Sequence, residues 1–140
     1  MSTTQTIIFC STIRKVSWLS ENLKEKNFSI TAIHGKMTQD ERNEIVKEFR
    51  DCKTRLLLTT DLLSRGIDIP QVNLVINYDL PINKETYIHR IGRCGRFGKK
   101  GVSITMVKME DSQDVKLLNK MKNYYNLNIQ EIPENIGDYI

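Results

Sequence analysis

Between Tyr87 and Gly101 the sequence reads YIHRIGRCGRFGKKG. Residues 89–100 hold Arg90, Arg93, Arg96, Lys99 and Lys100 and no acid, a local charge of +5. The whole chain of 140 residues carries +4, so removing these twelve positions leaves the other 128 at −1. The positive charge is concentrated rather than spread. Arginines at three-residue spacing lie along one side of a helical turn. A guanidinium is planar and always charged, and it grips two phosphate or carboxylate oxygens at once. Gly92 and Gly95 let the backbone approach a ligand or end the helix. With His89 alongside, the pattern points to recognition of phosphate or carboxylate. The plain alternative is a solvated basic helix end that complements the negative end of the helix dipole.

A second constellation is Thr59-Thr60-Asp61-Leu62-Leu63-Ser64-Arg65-Gly66-Ile67-Asp68. It offers hydroxyl, cation, bare backbone and carboxylate within ten residues. A carboxylate accepts hydrogen bonds from ribose hydroxyls, while hydroxyls and exposed amides bind backbone phosphates. The alternative is a polar loop in which Arg65 pairs with an aspartate. A third group is Gln39-Asp40-Glu41-Arg42. Glu41 is explained by helix capping, but Arg42 sits against the positive end of its helix dipole and suggests an anionic partner.

Hydrolysis machinery is missing from the pattern. There is no G-x-x-x-x-G-K-[ST] phosphate loop, since Gly98-Lys99-Lys100-Gly101 and Gly35-Lys36-Met37 both fail it. No acidic cluster follows a strand to hold magnesium. His34 and His89 lack the spacing of metal ligands, so no metal site is expected. Cys10 falls in an apolar run and reads as core rather than nucleophile. The chain reads as anion-gripping arms without a hydrolytic centre, which is half of an active site.

Those arms need a scaffold. Ile7-Ile8-Phe9-Cys10, Ile30 to Ile33, Leu56-Leu57-Leu58, Leu74-Val75-Ile76 and Val102 to Val107 are short apolar runs suited to strands. Helical periodicity fills the intervals: Val16, Leu19 and Leu23; Ile45, Val46 and Phe49; Lys84 to Arg90; and Val115, Leu118, Met121 and Tyr125. Ser11 or Thr12 can cap the first helix, and Thr38 with Glu41 makes a capping box for the second. Alternating strands and helices predict one open parallel α/β sheet with helices on both faces. Ligands then gather at the carboxyl ends of strands, in Ser11-Thr12, Thr59 to Pro70 and Asn77 to Pro81.

Composition sets the remaining bounds. Hydrophobic residues make up 39% and charged residues 27%, which fits a folded globular domain. Three cysteines without a CxxC pair argue against a disulfide framework and for a reducing compartment. No apolar run approaches a membrane span, and the opening residues lack a basic region followed by a long apolar stretch, so no secretory signal is expected.

The motifs together resemble the C-terminal, RecA-like domain of the DEAD-box RNA helicases over essentially the whole chain. Ile7 to Thr12 looks like motif IV, and Gln39 with Arg42 like the QxxR that follows it. Thr60-Asp61 through Asp68 resembles motif V, and His89-Arg90-Ile91-Gly92-Arg93-Cys94-Gly95-Arg96 resembles motif VI. The segments Val75 to Pro81 and Thr59 to Leu63 are most similar to the translation-initiation branch of the family. The exon-junction and ribosome-biogenesis branches are its rivals. Cys94 departs from the small residue usual at that place.

The resemblance implies an α/β/α RecA-like fold, with residues 1–140 forming the second of two domains. The first domain, which binds ATP and supplies magnesium ligands, would lie outside this chain. ATP and RNA would bind across the cleft between domains, and closure would unwind a short duplex. The resemblance makes Arg93 and Arg96 catalytic arginine fingers and assigns Gly66, Asp68, Arg93 and Arg96 to ATP. It assigns Arg42 and Thr60 to the RNA backbone, and His89 and Arg90 to coupling between domains. Implied partners are RNA of any sequence, the chain's own first domain and a translation-initiation scaffold protein, with no membrane. The isolated domain is expected to be an inactive monomer, and the location cytoplasmic. The alternative is an ATP-gated RNA clamp of the exon-junction kind, or a ribosome-biogenesis relative, either of which would be nuclear.

Overall fold

A four- or five-residue apolar run is too short for a helix but fills a strand covered on both faces. Five such runs form β1 (Thr6–Cys10), β2 (Ile30–Ile33), β3 (Leu56–Thr60), β4 (Leu74–Asn77) and β5 (Val102–Thr105). Four helices accompany them: α1 (Ile13–Glu25), α2 (Gln39–Arg50), α3 (Lys84–Ile91) and α4 (Ser112–Tyr125). The computed structural model describes residues 4–61, 71–81, 83–95 and 101–135. The expected elements are present, except that β5 ends at Thr105 rather than Val107.

All five strands are parallel, in the order β2-β3-β1-β4-β5. Ile7 lies level with Leu57 on one side and Val75 on the other. Because side chains alternate along a strand, each central strand feeds two cores. Ile7, Phe9, Leu57 and Val75 pack on one face with Val46 and Phe49 of α2. Ile8, Cys10 and Leu58 pack on the other with Val16 and, at its edge, Leu19 of α1. The result is the expected three-layer arrangement. Its cause is topological: the chain passes from β1 across β3 to β2, then reverses to β3. Right-handed crossovers in opposite directions put α1 and α2 on opposite faces. A third cluster joins Leu80, Tyr87 and Met121 beneath α3 and α4.

Each helix start is capped by a side chain. The backbone N–H of Lys15 donates to Thr12 Oγ1 at 3.2 Å, which settles the first cap on Thr12 and leaves Ser11 for another partner. Thr38 and Glu41 form the reciprocal capping box, with bonds of 2.7 and 3.2 Å. Asn83 and Asp111 cap α3 and α4. Among the described residues no helix is long and apolar enough to cross a membrane.

Candidate functional site

The sheet turns in opposite directions on either side of the β1–β4 boundary. From β1 the chain heads toward β2, whereas from β4 it heads toward β5. That boundary is the crevice where ligands of open α/β sheets collect. The loops beginning at Ser11 and Tyr78 leave the sheet there, and a groove of ≈610 Å³ lined by Thr12, Lys15, Trp18, Tyr78 and Asp79 opens beside them.

Arg90 holds this end of the sheet together. Its side chain is 0% exposed, and every printed bond it makes is charge-assisted or to a carbonyl. Nε and Nη2 donate to Asp61 Oδ1 and Oδ2 at 2.6 and 2.7 Å, a bidentate pair. Nη1 donates to the Asp79 carbonyl at 2.6 Å, and Nη2 reaches Asp79 Oδ1 at 3.3 Å. The Phe9 ring lies 5.6 Å from the guanidinium carbon, adding a cation–π contact. A buried cation is tolerable only when paired and hydrogen-bonded in this way. Asp61 follows β3, Asp79 follows β4 and Arg90 comes from α3, so one side chain ties three elements.

Asp79 is a second node. Its Oδ2 accepts from the Ser11 N–H at 2.9 Å, from the Ser11 hydroxyl at 2.6 Å and from Lys15 Nζ at 2.9 Å. Burial alone would raise its pKa, but the Ser11 and Lys15 hydrogen bonds and the Lys15 charge outweigh burial, and the carboxyl sits below its ordinary value. Next to it, burial chiefly pushes the Cys10 thiol up to about 12, with Asp79 adding in the same direction. Cys10 is a core thiol and not a nucleophile.

The three-residue row of arginines along a helix side does not form. α3 stops at Ile91 with Gly92 as its C-cap, so Arg93 lies in the turn beyond the helix. Arg90 points into the core instead of outward. Arg93 is half-buried, and its carbonyl accepts from the Val72 N–H at 2.9 Å. The Gly95 N–H returns a bond to the Val72 carbonyl at 2.8 Å, so the turn is pinned to the segment before β4. Gly95 adopts φ 113°, a conformation that favours glycine. Cys94 Sγ donates to the Val102 carbonyl at 2.9 Å, and burial pushes its thiol up to about 11.

His89 is exposed on α3. Arg42 is half-buried, with Nη2 donating to Gln39 Oε1 at 3.2 Å and Nε buried without a partner among the described residues. Thr60 is buried, and its hydroxyl likewise has no partner among the described residues. An unmet buried hydroxyl costs about 1–3 kcal/mol, so a ligand oxygen that reached it would recover that energy. Gly66, Asp68 and Arg96 lie outside the described residues. Among the described residues no three His, Cys, Asp or Glu side chains gather where a metal could bind. Sequence reasoning missed Asp79, whose one signal was its place just past the carboxyl end of β4.

The helicase conserved C-terminal domain model matches residues 1–98. The chain belongs to that family. This helicase domain is 53% identical over all 140 residues to the ATP-dependent RNA helicase eIF4A of Schizosaccharomyces pombe. It is also 53% identical over 140 residues to eukaryotic initiation factor 4A-3 of Nicotiana plumbaginifolia. In each case the match takes in the whole chain and 35% of the relative, so the helicase domain spans about a third of the length of these curated relatives. The solved C-terminal domain of the DEAD-box protein Dbp5 superposes with a TM-score of 0.86 at 36% identity, over 99% of this chain and 80% of that one. The fold is therefore the RecA-like fold of DEAD-box C-terminal domains.

Proposed function

We propose that this domain is the C-terminal half of an ATP-dependent RNA helicase of the initiation factor 4A kind. The observation that carries the reading is 53% identity across every element to a relative of that name. ATP is the substrate, bound between this domain and a preceding RecA-like domain that supplies the phosphate loop and the magnesium ligands. Arg93 stands just past the α3 C-cap, in a turn fixed to Val72, and extends its guanidinium to the γ-phosphate. Arg96, three residues on, takes the same role by its place in the motif, while Gly66 and Asp68 meet the nucleotide and its ribose. Arginines of this kind contribute about 10³–10⁵ in rate to related phosphoryl transfers.

RNA is held through its backbone, without regard to base. Arg42 and Thr60 have donors unmet within the described residues, and sugar-phosphate oxygens would satisfy them. His89 is the exposed residue on α3 that meets the first domain, and Arg90 acts from beneath by holding Asp61 and Asp79. Domain closure on ATP kinks the strand and destabilises a short duplex. A translation-initiation scaffold protein and a cytoplasmic site of action complete the proposal. In the full-length protein, Arg93→Ala should lower RNA-stimulated ATP turnover by at least about a thousandfold with the melting temperature unchanged. Turnover within threefold of wild type would sink the assignment of Arg93.

A further inference from the structure

We infer that Asp79 is a positioning residue that locks the Ser11 loop to the Asp61 loop, so that RNA and nucleotide binding are felt by one another. The inference rests on the proposed function, because it assigns the two loops to the two ligands. Ser11 leaves β1 in the segment resembling motif IV, and Asp61 leaves β3 at the head of the segment resembling motif V. The two strands are neighbours, with Cys10 level with Thr60. No hydrogen bond between Ser11 and Asp61 is seen; Asp79 and Arg90 connect them instead.

The connection runs through charge-assisted bonds. Two donors from Ser11, at 2.9 and 2.6 Å, fix Asp79 Oδ2. The other oxygen and the backbone carbonyl of Asp79 meet Arg90 at 3.3 and 2.6 Å. Arg90 then holds both Asp61 oxygens at 2.7 Å or less. A planar guanidinium moves as one body, so a tilt imposed at Asp79 is carried to Asp61. The four charges balance: Arg90 and Lys15 against Asp61 and Asp79. Exposure grades along the network, with the side chain of Lys15 at 47%, Asp79 at 16% and Arg90 at 0%. One end therefore meets solvent at the groove while the other is sealed in the domain.

The test uses full-length protein and measures affinity for a single-stranded RNA with and without a non-hydrolysable ATP analogue. Wild type should bind RNA more tightly with the analogue. Asp79→Asn should reduce that gain by at least about fivefold, within the usual span of coupling between sites. Ser11→Ala, which removes one exposed hydroxyl and leaves Arg90 paired, should reduce the gain in part, and Ser11→Thr should restore it. This series decides the matter if Asp79→Asn does not fold. A loss of stability alone would not move the ratio of the two affinities. A wild type with the gain and variants with an equal gain overturn the role of Asp79 alone. A wild type with no gain overturns the proposed function, and this inference with it.

Discussion

Arg90 and Asp79 concentrate more of the domain's electrostatic energy than any exposed charge, because their partners are close and water is largely excluded. Removing one member of such a buried set leaves the others uncompensated, at a cost of about 3–5 kcal/mol. Asp61 and Asp79 keep 24% and 16% of their side-chain surface in water, so the lower end applies. Arg90→Ala should therefore lose about 3 kcal/mol in urea unfolding, a large share of the total stability usual for a domain. Arg90→Lys should lose less, since it keeps the charge but cannot span both Asp61 oxygens. A loss below about 1 kcal/mol for Arg90→Ala would show that the clamp is not structural. The lowered pKa of Asp79 carries a pH dependence of definite sign. The unfolded chain takes up this proton at a higher pH than the folded one, so the stabilisation is present above the ordinary carboxylate range. It is lost as pH falls through the folded value. Asp79→Asn should be less stable at neutral pH and should show a flatter acid limb in unfolding monitored by circular dichroism. An acid limb as steep as wild type would remove Asp79 as its source.

The elements themselves were largely legible from sequence, and the reasons are local. Parallel strands buried on both faces read as continuous apolar runs, so β1, β3 and β4 stand out from their neighbours. The Thr38–Glu41 box needs only residues three apart. What was not legible depends on partners distant in the chain. Ser11 and Thr12 are equally good caps by type, and Asp79, 68 residues after Ser11, decides between them by taking Ser11. The arginine row failed for a related reason: spacing gives a side of a helix, but Gly92 ended the helix before Arg93, and Asp61 drew Arg90 inward. The turn holding Arg93 depends on a close approach that spacing alone does not reveal. A Cβ on Gly101 would lie 2.8 Å from the Cys94 carbonyl carbon and collide with the Gly95 nitrogen. Both obstacles are backbone and cannot rotate away. Gly101→Ala should destabilise the domain by about 1–3 kcal/mol, the usual cost of overpacking. It should also shift the amide resonances of Arg93 to Gly95 more than those of α1, and a neutral substitution would show that this junction is loose.

At the scale of the molecule, the local charge of +5 changes meaning once Arg90 is set apart. Arg90 is neutralised internally by two carboxylates, so it offers nothing directly to a ligand. What the domain presents outward is a few cations at the end of a sheet, with no phosphate loop in the sequence and no gathered metal ligands among the described residues. Electrostatic stabilisation by arginine lowers a barrier only where nucleotide, metal and attacking water are already positioned. The chain covers 35% of its eIF4A relative, which leaves ample length for a second domain to do that positioning. Residues 1–140 alone should therefore turn over no ATP above a buffer control, with or without RNA. The same residues within the full-length protein should hydrolyse ATP and respond to RNA more than to DNA of equal sequence, since only RNA offers the 2′-hydroxyls a protein uses to tell the two apart. A coupled phosphate-release assay on both proteins decides it. Robust hydrolysis by the isolated domain would mean that the residues argued to complete an active site already constitute one.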